Sequence, residues 1–265
     1  MSDHTEIPLS GGNVNEQVVK VGDTVRRAQS KHSANVHRLL RHLETAEFPH
    51  SPRFLGIDDK GRETLSFIAG STDFPTSLWS NPQVPVVATK MLREFHDATV
   101  GLSVDPDGWA YAYPDTTRRE VICHNDFAPY NMVFRDCLPV AIIDFDLAGP
   151  GPRLRDLAYL TYWLAPLSFS TGDMKAASEA ELSAGCSRLR SMCATYGTMD
   201  YDGLLNMVAE VLVHMASHDA AQRMIGDAAA QRLADGGHFV HWKHEANAFE
   251  IHRGRVLNAL KTDQL

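Results

Sequence analysis

Residues 121–151 read VICHNDFAPYNMVFRDCLPVAIIDFDLAGPG, and this stretch decides both the fold and the chemistry of the chain. Asn131 follows Asp126 by five positions, and Asp144 follows Asn131 by thirteen. Mg²⁺ takes few oxygen ligands from a protein and completes its shell with water and phosphates, so an Asn and Asp pair suits a metal–nucleotide site. We predict that Asn131 and Asp144 bind the metal and that Asp126 takes a proton from an acceptor hydroxyl.

The residues between Asn131 and Asp144 predict an antiparallel β-hairpin, because two apolar runs flank a short turn. Pairing Phe134 with Ala141 would set Asn131 opposite Asp144 at the open end of the hairpin, with their Cα atoms about 5 Å apart. One amide oxygen and one carboxylate would then face a common point. The alternative is that Asp126 and Asn131 only stabilise turns. The spacing of the three polar residues suits a common metal ion, and this disfavours the alternative.

The first 70 residues carry short apolar runs separated by glycine-containing turns, which predicts a small β-rich lobe. The predicted order is strand, strand, helix, strand, strand. The strands are expected at 7–9, 17–21, 24–27, 53–57 and 62–68, and the helix is expected to begin with Ser33 as its cap and to bury Val36, Leu39, Leu40 and Leu43. The stretch 70–85, rich in Ser, Thr, Pro and Asn, predicts a boundary between a nucleotide-binding lobe, 1–70, and a catalytic and substrate-binding lobe, 71–265.

Composition and charge narrow the range of partners. The chain has 265 residues, 44% of them hydrophobic, and a net charge of −8. Nucleic acids and anionic membranes are bound through basic surfaces, so we expect neither partner, whereas a cationic small molecule is compatible with this charge. The sequence shows no signal segment and no apolar stretch long enough to span a bilayer, so we expect a cytoplasmic protein. The four cysteines lack C-x-x-C spacing, and we expect reduced thiols.

Most of the chain beyond the boundary repeats apolar residues at intervals of three and four, which predicts helices. A β-rich lobe followed by a helical lobe makes an α+β fold. The order His124-x-Asp126, Asn131 and Asp144 matches the catalytic loop H-R-D-x-x-x-x-N of protein kinases and the metal-binding Asp that follows it. Asn125 stands where protein kinases usually have Arg.

With the motifs CHNDFAPYN and AIIDFDLAGPG, the chain resembles the aminoglycoside phosphotransferase family, which includes choline kinase relatives. The resemblance covers nearly the whole chain and implies a bilobal, protein-kinase-like fold. It also implies an enzyme that uses ATP and Mg²⁺ to phosphorylate a hydroxyl group. By this resemblance, Asp126 would be the catalytic Asp, and Asn131 with Asp144 would hold Mg²⁺. No acidic activation loop or A-P-E signature is evident, which favours a small-molecule acceptor such as a metabolite or an aminoglycoside.

The cation and the glycine loop that contact nucleotide phosphates are expected in the first lobe. Gly11 and Gly12 lie between two predicted strands, where backbone N–H groups can approach phosphates. Arg27 stands on the third strand, where kinases carry a lysine, and arginine can bind two phosphate oxygens at once. Strand alternation favours Arg27 for this role, and Arg26 is the alternative.

Adenine would meet the end of the last strand of this lobe. The backbone groups of Ser66 and Ile68 occupy the position that resembles the kinase hinge. The first helix departs from the family, because it offers no acidic residue before Glu44 to pair with the phosphate-binding cation. His37 or His42 occupies that region instead, so the sequence predicts a cation without its usual acidic partner.

Three further polar residues have expected supporting roles. His124 is expected to brace the catalytic loop through hydrogen bonds. Asp156 lies at the start of a predicted helix, where a carboxylate complements the helix dipole, and the resemblance suggests that it also ties the helical lobe to the catalytic loop. Asp146 could assist a second metal or contact the substrate.

Two other functions fit parts of the sequence. A catalytically silent, kinase-like binding or immunity protein would explain the missing acidic partner, but such a protein has no need of Asp126, Asn131 and Asp144. A nucleotide-sugar transferase that used Asp144-Phe145-Asp146 as its metal motif would need an α/β sheet, which the helical remainder of the chain does not supply. A small-molecule kinase is therefore the favoured function.

Overall fold

The structure is a computed structural model that describes residues 5–9, 18–102, 106–165, 167–169 and 179–262. Among these residues, the first part of the chain forms one antiparallel sheet. Its strands are β1 (Ile7–Pro8), β2 (Val19–Val21), β3 (Thr24–Arg27), β4 (Phe54–Ile57) and β5 (Glu63–Ser66), in the spatial order β1-β2-β3-β5-β4. A two-residue turn at Gly22 and Asp23 joins β2 to β3, and Gly22 has a φ of +55°, which glycine adopts without steric cost. The five predicted strands form: β3 has the predicted limits, the other four are shorter, and Gln17 of the second predicted strand lies outside the described residues.

Helix α1 (Ser33–Thr45) lies between β3 and β4 and buries the stripe that the sequence predicts. Val36, Leu39, Leu40 and Leu43 are each at most 1% exposed. The prediction that Ser33 caps the helix is wrong. Ser33 is the first helical residue, and its Oγ accepts a hydrogen bond from the backbone N–H of Ser30 at 2.9 Å, so it closes the turn that precedes the helix.

The rest of the chain is mainly helical and forms the larger part of the core. Its helices are α2 (Gln83–Ala98), α3 (Arg153–Leu164), α4 (Glu179–Tyr196), α5 (Tyr201–Met215), α6 (His218–Ile225), α7 (Asp227–Asp235) and α8 (His238–Thr262). Among the described residues between α2 and α3 there are four short strands: β6 (Val121–Cys123) pairs with β9 (Gly149–Gly151), and β7 (Met132–Arg135) pairs with β8 (Leu138–Ile142). The predicted site residues Asp126, Asn131 and Asp144 lie in the segments that connect these strands, and helices α2 and α3 pack against the strands.

The segment after β5 runs directly against the β7–β8 hairpin. Ser71 and Phe134 exchange backbone hydrogen bonds of 2.9 and 2.7 Å. Gly70 has a φ of +152°, and a Cβ atom on it would lie 2.5 Å from Val133 Cγ1 and 2.6 Å from the Phe134 carbonyl oxygen. Only glycine fits this position, so Gly70 allows the link between the two parts of the molecule to lie close to the site.

Two general features complete the description. No helix in the part of the chain that the structure describes is long and apolar enough to cross a membrane. The four cysteines are free thiols, and Cys137 is exposed whereas the other three are buried.

Candidate active site

A buried carboxylate holds the loop that follows β6. Asp156, in the first turn of α3, accepts hydrogen bonds from the backbone N–H groups of His124 (2.6 Å) and Asn125 (2.8 Å). Nε2 of the buried His96 on α2 lies 3.1 Å from Asp156 Oδ2. Burial alone would raise the pKa of Asp156, but the hydrogen bond and the charge of His96 outweigh it and lower the pKa. Asp156 therefore ties the loop to the helical core, as the resemblance suggests.

His124 braces the same loop from within. Its side chain is fully buried, and its Nε2 lies 3.1 Å from the carbonyl oxygen of Ile143. The ring packs against Phe127 and Phe145, with centroid distances of 5.8 and 4.7 Å. Burial lowers the pKa of His124, so the imidazole stays neutral and its role is to hold the loop against the strand that leads to the predicted metal ligand.

Asp126 lies at the centre of the loop with both carboxylate oxygens hydrogen-bonded. Its Oδ1 accepts a short hydrogen bond from the Tyr130 hydroxyl, and its Oδ2 accepts one from Asn131 Nδ2 at 2.8 Å. Burial raises the pKa of Asp126 to about 7, helped by the charge of Asp144 and opposed by these two hydrogen bonds. A carboxylate whose pKa lies near neutrality is suited to accept a proton during catalysis.

The β7–β8 hairpin forms as predicted, but its register differs by one residue. Val133 pairs with Ala141, and a bulge then shifts the register so that Phe134 pairs with Pro139. The predicted pairing of Phe134 with Ala141 is therefore wrong. Pro139 has no N–H group for the ladder, and a bulge is one of the few places where a strand accepts proline.

This shift moves Asp144 one position beyond the hairpin. Asn131 lies opposite Ile143, whose N–H donates to the Asn131 carbonyl oxygen at 2.8 Å. Asp144 has a left-handed backbone conformation, with φ +64° and ψ +68°, and the chain turns away from the ladder there. The Asp144 side chain is 43% exposed, so its carboxylate is open to a ligand.

Arg27 joins the N-terminal sheet to this acidic end of the hairpin. Its Nη1 lies 3.0 Å from Asp144 Oδ1, and its Nη2 lies 2.5 Å from Asp146 Oδ1. Its Nε donates to Glu63 Oε1 at 2.5 Å. Burial would lower the pKa of Arg27, but the charges of Asp146, Asp144 and Glu63 outweigh it and raise the pKa. The guanidinium is thus a permanent cation among three carboxylates.

Glu63 supplies the acidic partner that the sequence did not reveal. It lies on β5, directly across the ladder from Arg27 on β3, and its side chain is 1% exposed. Its second oxygen, Oε2, lies 2.6 Å from Nε2 of His37 on α1, and the His37 ring stacks on Phe54 at 3.8 Å. The prediction that the cation lacks an acidic partner is therefore wrong. The carboxylate of Glu63 on the neighbouring strand pairs with Arg27, and His37 on α1 contacts the same carboxylate.

The structure describes only some of the other residues that were predicted to bind the nucleotide. Gly11 and Gly12 lie outside the described residues. The Ser66 N–H donates to the Arg53 carbonyl at 2.9 Å, so the backbone group that Ser66 can offer to adenine is its carbonyl oxygen. Ile68 follows two residues later, beyond the end of β5. Arg26 lies on the opposite face of β3 from Arg27, with its Nη1 3.4 Å from Asp58 Oδ2.

The oxygen ligands at the site fit the requirements of Mg²⁺. Asn131 uses its Nδ2 for Asp126, donating to the main-chain oxygen at 3.0 Å and to Oδ2 at 2.8 Å, which leaves the amide oxygen Oδ1 for a cation. Asp144 and Asp146 add carboxylates, and such hard oxygen ligands are those that Mg²⁺ prefers. A divalent cation would bring positive charge to the same carboxylates that Arg27 contacts.

Tyr130 is a site residue that sequence reasoning missed. It lies next to Asn131 in the motif, yet its hydroxyl contacts both Asp126 and, at 2.8 Å, the hydroxyl of Tyr159 on α3. Its ring meets the ring of Trp163 edge-on at a centroid distance of 5.5 Å. The position of an aromatic hydroxyl four residues after Asp126 was the only signal in the sequence, and it does not show which way the side chain turns.

This chain is similar in sequence to proteins of known families. The phosphotransferase enzyme family matches residues 105–190. The trifolitoxin immunity protein of Rhizobium leguminosarum bv. trifolii is 30% identical over 261 residues, which covers 96% of this chain and 98% of that protein.

Solved structures extend the comparison to the fold. The streptomycin-ATP-APH(2")-IIa ternary complex has a TM-score of 0.56 at 13% identity, covering 92% of this chain and 93% of the other. A choline/ethanolamine kinase family protein from Mesorhizobium loti has a TM-score of 0.54 at 17% identity, covering 98% and 93%. The predicted α+β, protein-kinase-like architecture, with a small β-rich part and a larger helical part, is thereby confirmed. The chain belongs to the phosphotransferase enzyme family.

Proposed function

We propose that this protein transfers the γ-phosphate of ATP to a hydroxyl group of a small molecule. One observation carries the proposal. Asn131 donates to the Asp126 carboxylate through its side chain and accepts from the Ile143 N–H through its carbonyl oxygen, and the next residue, Asp144, pairs with Arg27 of the sheet. A general base, two metal ligands and a phosphate-binding cation are the components that phosphoryl transfer requires.

Each residue has a separate task in this reaction. Asp126 accepts the proton of the acceptor hydroxyl as its oxygen attacks phosphorus, and its pKa of about 7 suits that task at neutral pH. Arg27 contacts the phosphates of the nucleotide. Asn131 and Asp144 would hold Mg²⁺, which would supply positive charge to stabilise the transferred group. Ser66 and Ile68 are proposed to meet adenine through backbone groups, and Gly11 and Gly12 to approach the phosphates.

The test is ATP-dependent phosphate transfer to a panel of amino alcohols, aminoglycosides and sugars. We expect at least one acceptor to be phosphorylated in the presence of Mg²⁺. Asp126→Asn keeps the shape of the side chain but removes the base, and kcat should fall about 10²-fold to 10⁴-fold. Asp59→Asn is the matched control, since this exposed Asp lies in the β4–β5 turn, and its kcat should equal that of the wild type. Binding of Mg²⁺ and ATP without transfer to any acceptor would contradict the proposal.

A second candidate function is toxin immunity by binding without turnover. The relative that matches 96% of this chain is named an immunity protein, and this observation alone favours the candidate. The Arg27 contacts with Asp144 and Asp146 are compatible with it, because they supply a positive charge to both carboxylates without a metal.

Resistance assays separate the two functions. A sensitive bacterial strain that expresses the chain would be challenged with trifolitoxin, and the Asp126→Asn variant would be compared with the wild type at equal protein levels. Protection that requires catalysis disappears in the variant. Protection that persists at the wild-type level, together with a lack of phosphate transfer, would favour immunity by binding.

A further inference from the structure

The Tyr130 hydroxyl donates its hydrogen bond to Oδ1 of Asp126 in the ligand-free protein. A carboxylate oxygen accepts hydrogen bonds, so the phenol is the donor of this bond. The other carboxylate oxygen, Oδ2, is held by Asn131 Nδ2 at 2.8 Å. An incoming hydroxyl therefore finds both oxygens of Asp126 hydrogen-bonded.

An acceptor must make the bond that Tyr130 makes. A base removes a proton only from a hydroxyl that lies within hydrogen-bond reach, about 2.6–3.2 Å between oxygens. Because Asn131 orients Oδ2 and sits in the metal-binding part of the site, Oδ1 is the oxygen left for the acceptor. The Tyr130 hydroxyl is chemically the same kind of donor, and it holds that oxygen.

Tyr130 is also placed where it can leave. It is 36% exposed, whereas its neighbour Tyr159 is 3% exposed and is fixed in α3. The hydroxyl of Tyr159 is 2.8 Å from that of Tyr130, so a polar partner remains beside Asp126 when the Tyr130 side chain turns outward.

We propose that Tyr130 is a positioning residue whose hydroxyl occupies the acceptor position on Asp126 until an acceptor displaces it, and so keeps water from that oxygen. This inference rests on the proposed phosphotransferase function. Without the phenol, a water molecule can donate to Oδ1, lose its proton to Asp126 and form a new O–P bond with the γ-phosphorus. The bond from that phosphorus to the β,γ-bridging oxygen breaks, and ADP and inorganic phosphate leave. Tyr130 would thus limit wasteful hydrolysis of ATP.

The experiment measures phosphate release from ATP and Mg²⁺ without any acceptor. Tyr130→Phe removes only the hydroxyl, and we expect its hydrolysis rate to exceed that of the wild type on the order of tenfold, the effect of losing one hydrogen bond. Tyr130→Leu removes the same hydroxyl and should show the same rise, which guards against a folding defect in one variant. Tyr201→Phe is the matched control, because Tyr201 lies on α5 with its hydroxyl 3.8 Å from Met199 Sδ, and its rate should stay within about twofold of the wild type.

A second readout distinguishes positioning from simple structural support. Loss of the hydroxyl opens Oδ1 of Asp126 to water, so the ratio of ATP hydrolysis to phosphate transfer should rise in Tyr130→Phe. A residue with a purely structural role would lower hydrolysis and transfer together and leave this ratio unchanged.

The outcomes separate this inference from the function on which it rests. A wild type that transfers phosphate to an acceptor, combined with Tyr130 variants that hydrolyse ATP no faster, overturns the inference alone. Phosphate attached to Tyr130, detected by mass spectrometry of the wild type incubated with ATP and Mg²⁺, also overturns it, because the phenol would then itself be an acceptor. A wild type that turns over no ATP with any acceptor overturns both proposals.

Discussion

Replacing Glu63 with Gln tests whether the buried Arg27 cluster anchors the N-terminal sheet. Glu63 is 1% exposed and its two oxygens bind different partners: Oε1 accepts from Arg27 Nε at 2.5 Å, and Oε2 lies 2.6 Å from His37 Nε2. Gln has nearly the same shape but no charge, and only one of its two polar ends accepts hydrogen bonds. The variant therefore loses one bond outright and weakens the other.

The magnitude follows from these contacts. Removing one partner of a buried ion pair costs about 3–5 kcal/mol. Arg27 keeps Asp144 and Asp146 in the Glu63→Gln variant, so it is not left uncompensated. We therefore expect the free energy of unfolding to fall by about 2–3 kcal/mol, which combines one lost charge-assisted bond with one weakened bond. For a chain of this size, the midpoint of thermal unfolding should fall by about 4–10 °C.

Urea denaturation followed by circular dichroism measures the change, with MgATP affinity measured separately by calorimetry. Glu44→Gln is the control, because Glu44 is exposed near the end of α1 and the same substitution there should change the free energy by less than about 0.5 kcal/mol. Glu63→Gln should also weaken MgATP binding, since Arg27 loses the bond that orients it. A Glu63→Gln variant as stable as Glu44→Gln would refute the argument that this carboxylate anchors the cluster.

Three further predictions follow from the site and its surroundings. The pKa of Asp126 near 7 predicts that kcat/KM rises as pH increases through about 7 and levels above it, because the base must be deprotonated; a profile that is flat between pH 5 and 8 would contradict this. Asp156→Ala leaves two buried backbone N–H groups without an acceptor and should destabilise the protein by about 3–5 kcal/mol in urea denaturation. Gly70→Ala forces a Cβ atom to 2.5 Å from Val133 Cγ1 and should cost about 1–3 kcal/mol, whereas Gly254→Ala, whose Cβ meets no atom within 4 Å, should not destabilise.

Local patterns predicted the elements of the fold well. The strands of the first sheet, the apolar stripe of α1 and the β7–β8 hairpin all depend on residues close together in the chain, and each forms where the pattern indicates. The hairpin register was wrong because the bulge beyond Val133 depends on Pro139 and on its partner strand together. The alternation of apolar residues indicates where the strands lie, but it does not reveal an extra, unpaired residue within one strand.

Sequence spacing could group the candidate site residues that share one motif but not those that come from distant strands. Asp126 and Asn131 lie in the loop before the β7–β8 hairpin and Asp144 lies just after it, so they are close in the chain. Glu63 could not be found in this way, because its pairing with Arg27 depends on β5 lying beside β3 and on the register between them. In the chain β4 comes before β5, and nothing in the sequence indicates that β5 rather than β4 lies beside β3 in the sheet.

Asp126 and Arg27 are attached to different parts of the molecule, and this bears on how an acceptor could enter and a product leave. The Asp126 loop is hydrogen-bonded to the helical core through Asp156, whereas Arg27 lies on the sheet and pairs with Asp144 and Asp146. If the sheet moves away from the helices, the Arg27 contacts break while the base stays aligned. An acceptor can therefore arrive, or a product depart, during such an opening without disturbing Asp126. Under the proposed function, only the Arg27 contacts would then have to form again in each cycle.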